Sequence, residues 1–376
     1  MRNNRLFLDI HAIQVLPPSN VNRDDTGSPK TARFGGVTRA RVSSQAWKKA
    51  MRDYFCKNGQ EFRLGIRTKR ILNYVISRIL EKGISSERHE AQDKVAAVLE
   101  NAGYKYSRKK QELDALYFFS NEQIDKLAEF TQNERYIKKY DIDSEKKKIK
   151  KELTNLLKED TIEIDIALFG RMLAGTPLLK EDASSQVAHA ISTHEVQTEY
   201  DYFIAKDDLA SDDDEGAAMI ETNEFNSSTL YRYANVAVHE FLHQMKDDKE
   251  LTVRALRLYI EAFAKSMPTG KCNSYANQTF PQAFLVILRD DRPISFVGAY
   301  ENAVKVKNGY TEESVRRLFT EGRKADKFVH APVASFCLLT DDAWYPSGDE
   351  NAFTGIKENE MTKLLDDVSN QLVALL

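Results

Sequence analysis

The sequence predicts an α+β fold in which a sheet domain carries two insertions. Segments with strand-like alternation and segments with helical periodicity interleave along the 376 residues, as they do in mixed sheet-and-helix domains. A highly charged helical stretch interrupts the strands at residues 60–160, and an acidic run interrupts them again at 207–215. Apolar side chains make up 42% of the chain, which is enough for each part to bury a core.

The N-terminal part is predicted to open with a strand and a helix. Residues 6–11 alternate with period two, which indicates a strand, and the segment Pro-Pro-Ser-Asn at 17–20 is predicted to end it. A helical pattern follows Ser43, and Trp47 belongs to its apolar side. Residues 60–160 contain few strand signals and are therefore predicted to form a helical insertion.

A protruding hairpin is predicted in the middle of the chain. Residues 193–205 alternate in the manner of a strand, and the chain returns through a second strand-like segment at 230–238. The acidic run 207–215 between them cannot pack, so it is predicted to form a solvated tip.

The C-terminal part is predicted to contain two helices and two buried strands. Apolar residues spaced three and four apart over 253–267 indicate a packed helix that ends at Pro268. Segments 284–288 and 335–339 have the apolar composition of buried strands. Residues 361–372 form a last amphipathic helix.

Charge is distributed unevenly. The whole chain has a formal net charge of −3, but residues 1–57 hold eleven basic side chains against four acidic ones, a net charge of +7. The three cysteines are far apart and show no CxxC spacing, which fits a reducing cytoplasm. No apolar stretch is long enough to predict a membrane span or a signal peptide, so a cytoplasmic protein is expected.

The basic cluster at 23–52 has the chemistry of a phosphate site. Helix N-terminal amides after Ser43 and Ser44 can donate to an anion, and Lys48 and Arg52 add charge one and two turns later. An ordinary N-cap followed by a solvated helix face would have the same composition. The GxxxxGK[ST] spacing is absent, so nucleotide hydrolysis has little support.

An HExxH match gives a competing hypothesis of a zinc metallopeptidase. His239 and His243 would face one zinc ion, Glu240 would activate its water, and Glu261 could be the third ligand. The alternative is a helix start after a strand.

Two further features are assigned to structure on their own evidence. His189 and His194 straddle a predicted junction and share no helical face, so both are predicted to be structural. Met172, taken alone, would belong to the core.

Several segments together resemble one family. The chain is similar to the backbone subunit of the type I-E CRISPR Cascade complex, the CasC family. The segments that carry the resemblance are NRDD (22–25), SPKT (28–31), FGGV (34–37), RARVSSQAWKKAMR (39–52), DIALFGRML (165–173), QVAHAISTH (186–194), EYDYF (199–203), EFNSS (224–228) and YRYAN (231–235).

The resemblance implies a hand-shaped subunit. It has an RRM-like, ferredoxin-like palm, inserted helical fingers and a protruding β-hairpin thumb. The implied boundaries are palm 1–57, fingers 58–160, palm 161–198, thumb 199–228 and palm 229–376.

The resemblance also implies a function without catalysis or cofactors. Several copies would polymerise along the spacer of a CRISPR RNA, grip its backbone and displace bases at intervals, so that the guide can pair with target DNA. Other Cascade subunits are expected partners. In this family residues 239–243 would be a helix start, so the HExxH match becomes a coincidence. A protein-only scaffold is the remaining alternative.

Residue by residue, the resemblance gives a set of RNA contacts. Met172 corresponds to an apolar wedge against a displaced base, and Phe203 to a thumb aromatic. The full set of expected RNA-binding residues is Arg23, Lys30, Ser43, Gln45, Lys48, Lys49, Arg52, Met172 and Phe203.

Overall fold

A computed structural model of the chain describes residues 5–84, 87–158, 162–171, 179–205, 219–305, 307–346, 353 and 355–376. The chain divides into two units. The first consists of residues 1–57, 185–239 and 249–376, and the second of residues 58–184 and 240–248. Strands and helices both contribute, so the predicted α+β class is confirmed.

The described elements follow one another in a mixed order. The strands are β1 (Phe7–Ser19), β2 (Thr31–Phe34), β3 (Val37–Val42), β4 (Ile66–Thr68), β5 (Tyr106–Ser107), β6 (Glu112–Leu113), β7 (Tyr117–Phe119), β8 (Ser185–Val187), β9 (Ala190–Ser192), β10 (Glu199–Ala205), β11 (Met219–Ala237), β12 (Pro281–Arg289), β13 (Ala334–Leu339) and β14 (Ile356–Glu358). The α-helices are α1 (Ser44–Asn58), α2 (Ile71–Glu81), α3 (Arg88–Asn101), α4 (Asn121–Phe130), α5 (Glu134–Ile137), α6 (Asp143–Leu156), α7 (Ile164–Phe169), α8 (Val238–Gln244), α9 (Lys249–Lys265), α10 (Cys272–Tyr275), α11 (Thr311–Ala325) and α12 (Met361–Leu375). Short 3-10 helices cover Val297–Tyr300 and Asp342–Trp344.

The sheet of the first unit is built around β1. Its strand order is β14-β13-β12-β1-β11-β9-β3-β2, and β8 and β10 also pair with β11. β1 pairs antiparallel with β11 along one side and with β12 along the other. Because both of its edges are hydrogen-bonded, β1 is an interior strand, and its apolar residues are buried.

Six elements of this unit follow one another in the order strand, helix, strand, strand, helix, strand, with β8 and β9 counted as one strand. Along the chain they are β1, α1, β8 with β9, β11, α9 and β12, while in the sheet β12 and β11 flank β1. The first helix follows the first strand and the second helix follows the third strand. This is the split β-α-β-β-α-β arrangement.

The sheet is covered on both faces. Ala12 of β1 lies opposite Arg232 of β11, and the Arg232 guanidinium lies over the Trp47 ring of α1. His11 is the next residue along β1, so its ring points to the opposite face and stacks on Phe296 with ring centroids 4.1 Å apart. Each face therefore contributes to a separate layer of core.

β1 ends at Ser19, within the segment 17–20 that is predicted to end it. The strand continues through Pro17 and Pro18 to Ser19, which pairs with Asn226. The register shifts between Leu16 and Ser19. A proline cannot donate to a regular ladder, but an irregularity of this kind removes the need for its N–H.

The second unit is mainly helical. Helices α2, α3, α4 and α6 contribute to one apolar core, and its fully buried members include Ile76, Leu99, Ile124 and Leu153. Ser120 caps α4 in a capping box. Two small sheets, β4 with β7 and β5 with β6, accompany the helices.

The predicted palm, fingers and thumb boundaries remain predictions. β11 runs without interruption from Met219 to Ala237, across the expected thumb–palm boundary after residue 228. In the described ranges no helix combines the length and the apolar character that a membrane crossing requires.

Candidate nucleic-acid interface

Asn22 connects the basic loop to the start of α1. Its backbone carbonyl accepts a hydrogen bond from the Lys30 amide at 2.9 Å, and its Oδ1 accepts one from the Ser43 amide at 2.8 Å. Ser43 Oγ accepts a hydrogen bond from the Ala46 amide at 3.3 Å, as the side chain of an N-cap residue does. The predicted residues Lys30 and Ser43 are therefore joined by a residue that the sequence analysis did not select.

The acidic residue of the loop is engaged within the loop itself. Asp24 Oδ1 accepts hydrogen bonds from the Thr26 hydroxyl at 2.7 Å and from the amides of Thr26 and Ser28 at 3.0 Å. These bonds, the hydroxyl bond foremost, hold the pKa of Asp24 below its ordinary value. Arg23 and Lys30 form no ion pair with any carboxylate of the described chain, so the loop presents two cations.

The first turn of α1 supplies uncharged donors. Amides in the first turn of a helix have no carbonyl partner within the helix, and the aligned peptide dipoles make this end positive. Ser44 and Gln45 occupy the turn, and Gln45 is exposed. An anion placed here would meet N–H donors, a hydroxyl and an amide side chain.

The cations of α1 are not equivalent. Lys48 and Arg52 are four residues apart on one partly exposed helix face. Partial burial lowers the pKa of Lys48. Lys49 is exposed and pairs with Asp53, so part of its charge is already neutralised. Lys48 and Arg52 therefore lie together on a helix face that extends from the start of α1.

A buried arginine holds α1 against the sheet. The Arg232 guanidinium lies 3.6 Å from the ring centroid of Trp47 and 4.3 Å from that of Phe263. It also donates hydrogen bonds to Gln14 Oε1 and, at 2.6 Å, to the Phe263 carbonyl. Burial lowers the pKa of Arg232 to about 9. Arg232 lies in the YRYAN segment, but its role at the start of α1 is not among the predictions from the sequence.

Asn20 connects the same loop to the hairpin formed by β10 and β11. Its Nδ2 donates to the Gly27 carbonyl at 3.0 Å and to the Glu224 carbonyl at 2.9 Å. Phe203, the predicted aromatic contact, lies opposite Glu221 in the hairpin and is half-buried. The basic loop and the base of the hairpin therefore share one anchor.

Two tyrosines of the hairpin are more exposed than Phe203. Tyr200 and Tyr202 are 67% and 61% exposed, and Ile204 is also exposed. All three lie on the strand face opposite to Phe203, because strand side chains alternate. The period-two pattern could have identified them, but the sequence analysis named only Phe203.

Met172, the expected wedge, lies outside the described residues. Immediately before it, Arg171 forms a backbone bridge with Glu181, with N···O distances of 2.9 and 3.0 Å. The buried Arg171 side chain donates through Nε to the Leu179 carbonyl at 2.8 Å.

The HExxH residues are engaged in local contacts. His239 Nδ1 lies 3.0 Å from the Leu6 carbonyl oxygen, and its ring packs edge-on against Phe7. Glu261, the suggested third ligand, accepts a hydrogen bond from Lys265 at 2.6 Å and another from the Tyr54 hydroxyl. Within the described part of the chain, no three His, Cys, Asp or Glu side chains are grouped closely enough to hold a metal ion.

The comparisons with known proteins agree with one another. A family model described as CT1975-like protein matches residues 8–367. A solved structure described as a CRISPR RNA-guided surveillance complex, pre-nicking, contains a chain that is 28% identical, with a TM-score of 0.79 over 97% of this chain and 100% of that chain. A second, described as a CRISPR RNA-guided surveillance complex, has a chain that is 25% identical, with a TM-score of 0.63 over 97% and 99%. No curated protein matches the sequence.

Proposed function

The chain belongs to the CT1975-like protein family, and on that basis we propose that it is the guide-RNA-binding backbone subunit of a Cascade-type CRISPR surveillance complex. The proposed subtype is I-E, with this chain as its CasC subunit. Similarity to chains of two CRISPR RNA-guided surveillance complexes, each over almost the whole length of both chains, supports this role.

The joining of the basic loop to the start of α1 supports RNA binding most directly. Through Asn22, the cation Lys30 and the capping residue Ser43 are held at the end of a helix whose first amides face outward. Arg23 and the exposed Gln45 belong to the same segment, and Lys48 and Arg52 follow along the helix. The ion pair of Lys49 with Asp53 neutralises part of its charge. These groups recognise phosphate and sugar, and none of them needs a particular base.

The mechanism is a division of labour between protein and guide. The protein grips the RNA backbone, copies of the chain polymerise along the spacer, and Met172 and Phe203 displace bases at intervals. The remaining bases stay open to pair with target DNA, so sequence is read by base pairing and not by side chains. The proposed subunit is cytoplasmic, has no catalytic activity and works with the other Cascade subunits.

The decisive experiment is to determine the nucleic acid bound to the purified protein. The chain is coexpressed with its partner subunits and a CRISPR array, and the RNA in the purified particle is extracted and sequenced. Uniform repeat-flanked spacer RNA is expected. Recovery of the chain without RNA would refute the proposal.

Two other functions make different predictions in the same preparation. A protein-only scaffold would keep its assembly after complete RNase digestion, whereas the proposed subunit needs RNA to polymerise. A zinc metallopeptidase would contain stoichiometric zinc, and Glu240→Gln would abolish its proteolysis.

A further inference from the structure

A second group of basic side chains lies beside the start of α1. The Arg41 amide donates to the Lys30 carbonyl at 2.9 Å, which places these two residues opposite each other where β2 and β3 begin to pair. Arg41 also lies opposite Ile191 of β9, and His189 is two residues before Ile191. Directly opposed residues share a sheet face, so Lys30 and Arg41 lie on the same side. His189 precedes β9, and its ring joins them through its contact with Arg41.

The contact between Arg41 and His189 fixes the histidine tautomer. Arg41 donates through Nε to the Thr31 carbonyl at 3.0 Å, and its Nη1 lies 3.3 Å from His189 Nδ1. A guanidinium can only donate, so Nδ1 is the acceptor and the proton of the neutral ring is on Nε2. His189 is exposed, and it therefore offers an N–H donor. Nη2 of Arg41 makes no hydrogen bond to the described residues.

The electrostatic surroundings of His189 are positive. Partial burial, then Arg41 and Lys30, lower the pKa of His189. Arg39, two residues before Arg41 on β3, is buried and donates to the carbonyls of Ser192 and Tyr300. Burial lowers the pKa of Arg39, and the charge of the Glu195 carboxylate opposes this shift.

The cluster formed by Lys30, Arg41 and His189 has no compensating anion within the described part of the chain. Neither Lys30 nor Arg41 forms an ion pair with a carboxylate within the described ranges. Grouped cations repel one another, and a bound anion would relieve that repulsion.

We propose that Lys30, Arg41 and His189 form a phosphodiester-binding site that continues the phosphate contacts of the α1 start. The ammonium of Lys30, the free N–H groups of Arg41 and the Nε2–H of His189 are its donors. The site rests on the proposed function, because its ligand is the backbone of the bound RNA. It adds Arg41 and His189 to the interface, and His189 then has a binding role instead of the structural one expected from the sequence.

Binding at this site is linked to protonation of His189. A phosphate in contact with the ring favours the imidazolium, so RNA binding raises the pKa of His189. The second proton is on Nδ1, so protonation ends the hydrogen bond from Arg41 and leaves Arg41 Nη1 to donate to the phosphate. RNA affinity therefore increases as pH falls through the titration range of His189. His189→Gln keeps a neutral donor but cannot take up this proton.

The test measures binding of a labelled, unstructured single-stranded RNA to the full-length protein. Arg41→Ala is expected to weaken binding by about tenfold and to reduce the slope of log K against log salt by about 0.7. His189→Ala should weaken binding by about threefold. His189→Gln should bind close to wild type at pH ~7.5 and lose the gain in affinity at lower pH. His330→Ala is the control, since His330 is exposed and lies beside Asp290 in the same unit.

The outcomes separate this site from the proposed function. If Lys48→Ala weakens binding while the Arg41 and His189 variants bind as wild type, the site does not exist and the RNA-binding role stands. If His189→Gln keeps the full pH response, His189 is not in contact with phosphate. If the wild-type protein binds no RNA, both the site and the proposed function are refuted.

Discussion

Arg232 is a wholly buried cation with neutral hydrogen-bond partners. Its plane lies over Trp47 and Phe263, and its two terminal nitrogens donate to a glutamine side chain and a backbone carbonyl. In the described structure it has no carboxylate partner. A flat guanidinium can stack and donate at the same time, which an ammonium cannot.

The exchange Arg232→Lys should therefore destabilise the protein although it keeps the charge. We expect a loss of about 2 kcal/mol in the free energy of unfolding, measured by denaturant titration. The control is Arg254→Lys on the half-exposed side of α9, with an expected change below about 0.5 kcal/mol. Equal stability of the two variants would show that Arg232 does not hold α1 through its planar group.

Lys48 and Lys57 allow a comparison within one helix. Lys48 is in the first half of α1, and Lys57 is in its last turn. Lys48→Ala should weaken binding of every guide sequence by about tenfold, because a phosphate contact is lost. Lys57→Ala removes the same charge far from the helix start and should leave affinity nearly unchanged. Loss of affinity for selected spacer sequences alone would contradict backbone recognition.

Asp9 is a buried carboxyl at the centre of the sheet. It accepts hydrogen bonds from the Tyr233 hydroxyl at 2.8 Å and from the Ile294 amide at 3.1 Å, and Arg289 Nε lies 3.4 Å from its Oδ2. Burial outweighs these contacts and raises the pKa of Asp9 to about 7. Nearby, burial lowers the pKa of His11.

These two shifts act oppositely on stability. Between pH ~4 and pH ~7 the folded state holds a proton on Asp9 that the unfolded state has lost, so Asp9 makes stability fall as pH rises. His11 stays neutral when folded and makes stability rise up to pH ~6.5. The stability of wild type relative to Asp9→Asn should therefore decrease with pH across this window, by at most about 1.4 kcal/mol per pH unit. Denaturant titrations over that range measure it, and a constant difference would mean that Asp9 is ionised throughout.

At the scale of elements, the sequence pattern predicted what local periodicity determines. The start of α1 after Ser43, the buried strands β12 and β13 and the last helix α12 all agree with the pattern. The end of β1 within residues 17–20 agrees as well, whereas the pairing of Ser19 with Asn226 becomes visible only in the fold. Likewise, the short strands β4 to β7 gain their partners only in the folded state.

The candidate site shows the same limit. Basic composition and the Ser43 cap were visible in the sequence, and both are present at the start of α1. The roles of Asn22 and Arg232 depend on partners far away in the chain, which a sequence pattern does not show. The contact between His189 and Arg41 could not be predicted either, because the two residues become adjacent only through strand pairing.

Asn22 provides a test of the loop as an element. Asn22→Ala removes the side-chain bond to the Ser43 amide without removing any charge. RNA affinity should fall by about tenfold while the salt slope stays at the wild-type value, because the cations remain but are less well positioned. Asn121→Ala, in the second unit, is the matched control. A reduced salt slope would indicate that the exchange also removes phosphate contacts.

For the molecule as a whole, charge is segregated and not merely balanced. The chain is slightly acidic in total, while its first 57 residues carry +7. Such a protein can bind a polyanion at its basic segment, while the rest of the chain, which is acidic on balance, repels it.

Affinity for the guide should consequently depend steeply on salt and hardly on spacer sequence. Each phosphate contact to single-stranded RNA contributes about 0.7 to the slope of log K against log salt. Filter binding of several unrelated spacers over a salt series measures both quantities. Affinities that differ by more than about tenfold between unrelated unstructured spacers would indicate readout of bases.

The position of β1 in the sheet also has a consequence for biosynthesis. This strand leaves the ribosome early, but its partners are β11 and β12, whose pairing residues extend from 226 to 237 and from 281 to 289. The apolar β1 therefore stays unpaired until those residues have been translated. The helices between residues 71 and 156, in contrast, can fold and pack against one another before then. Nascent chains that end before β12 would expose an unpaired edge of β1. Such an edge can pair with other chains, so a chaperone would need to shield these chains.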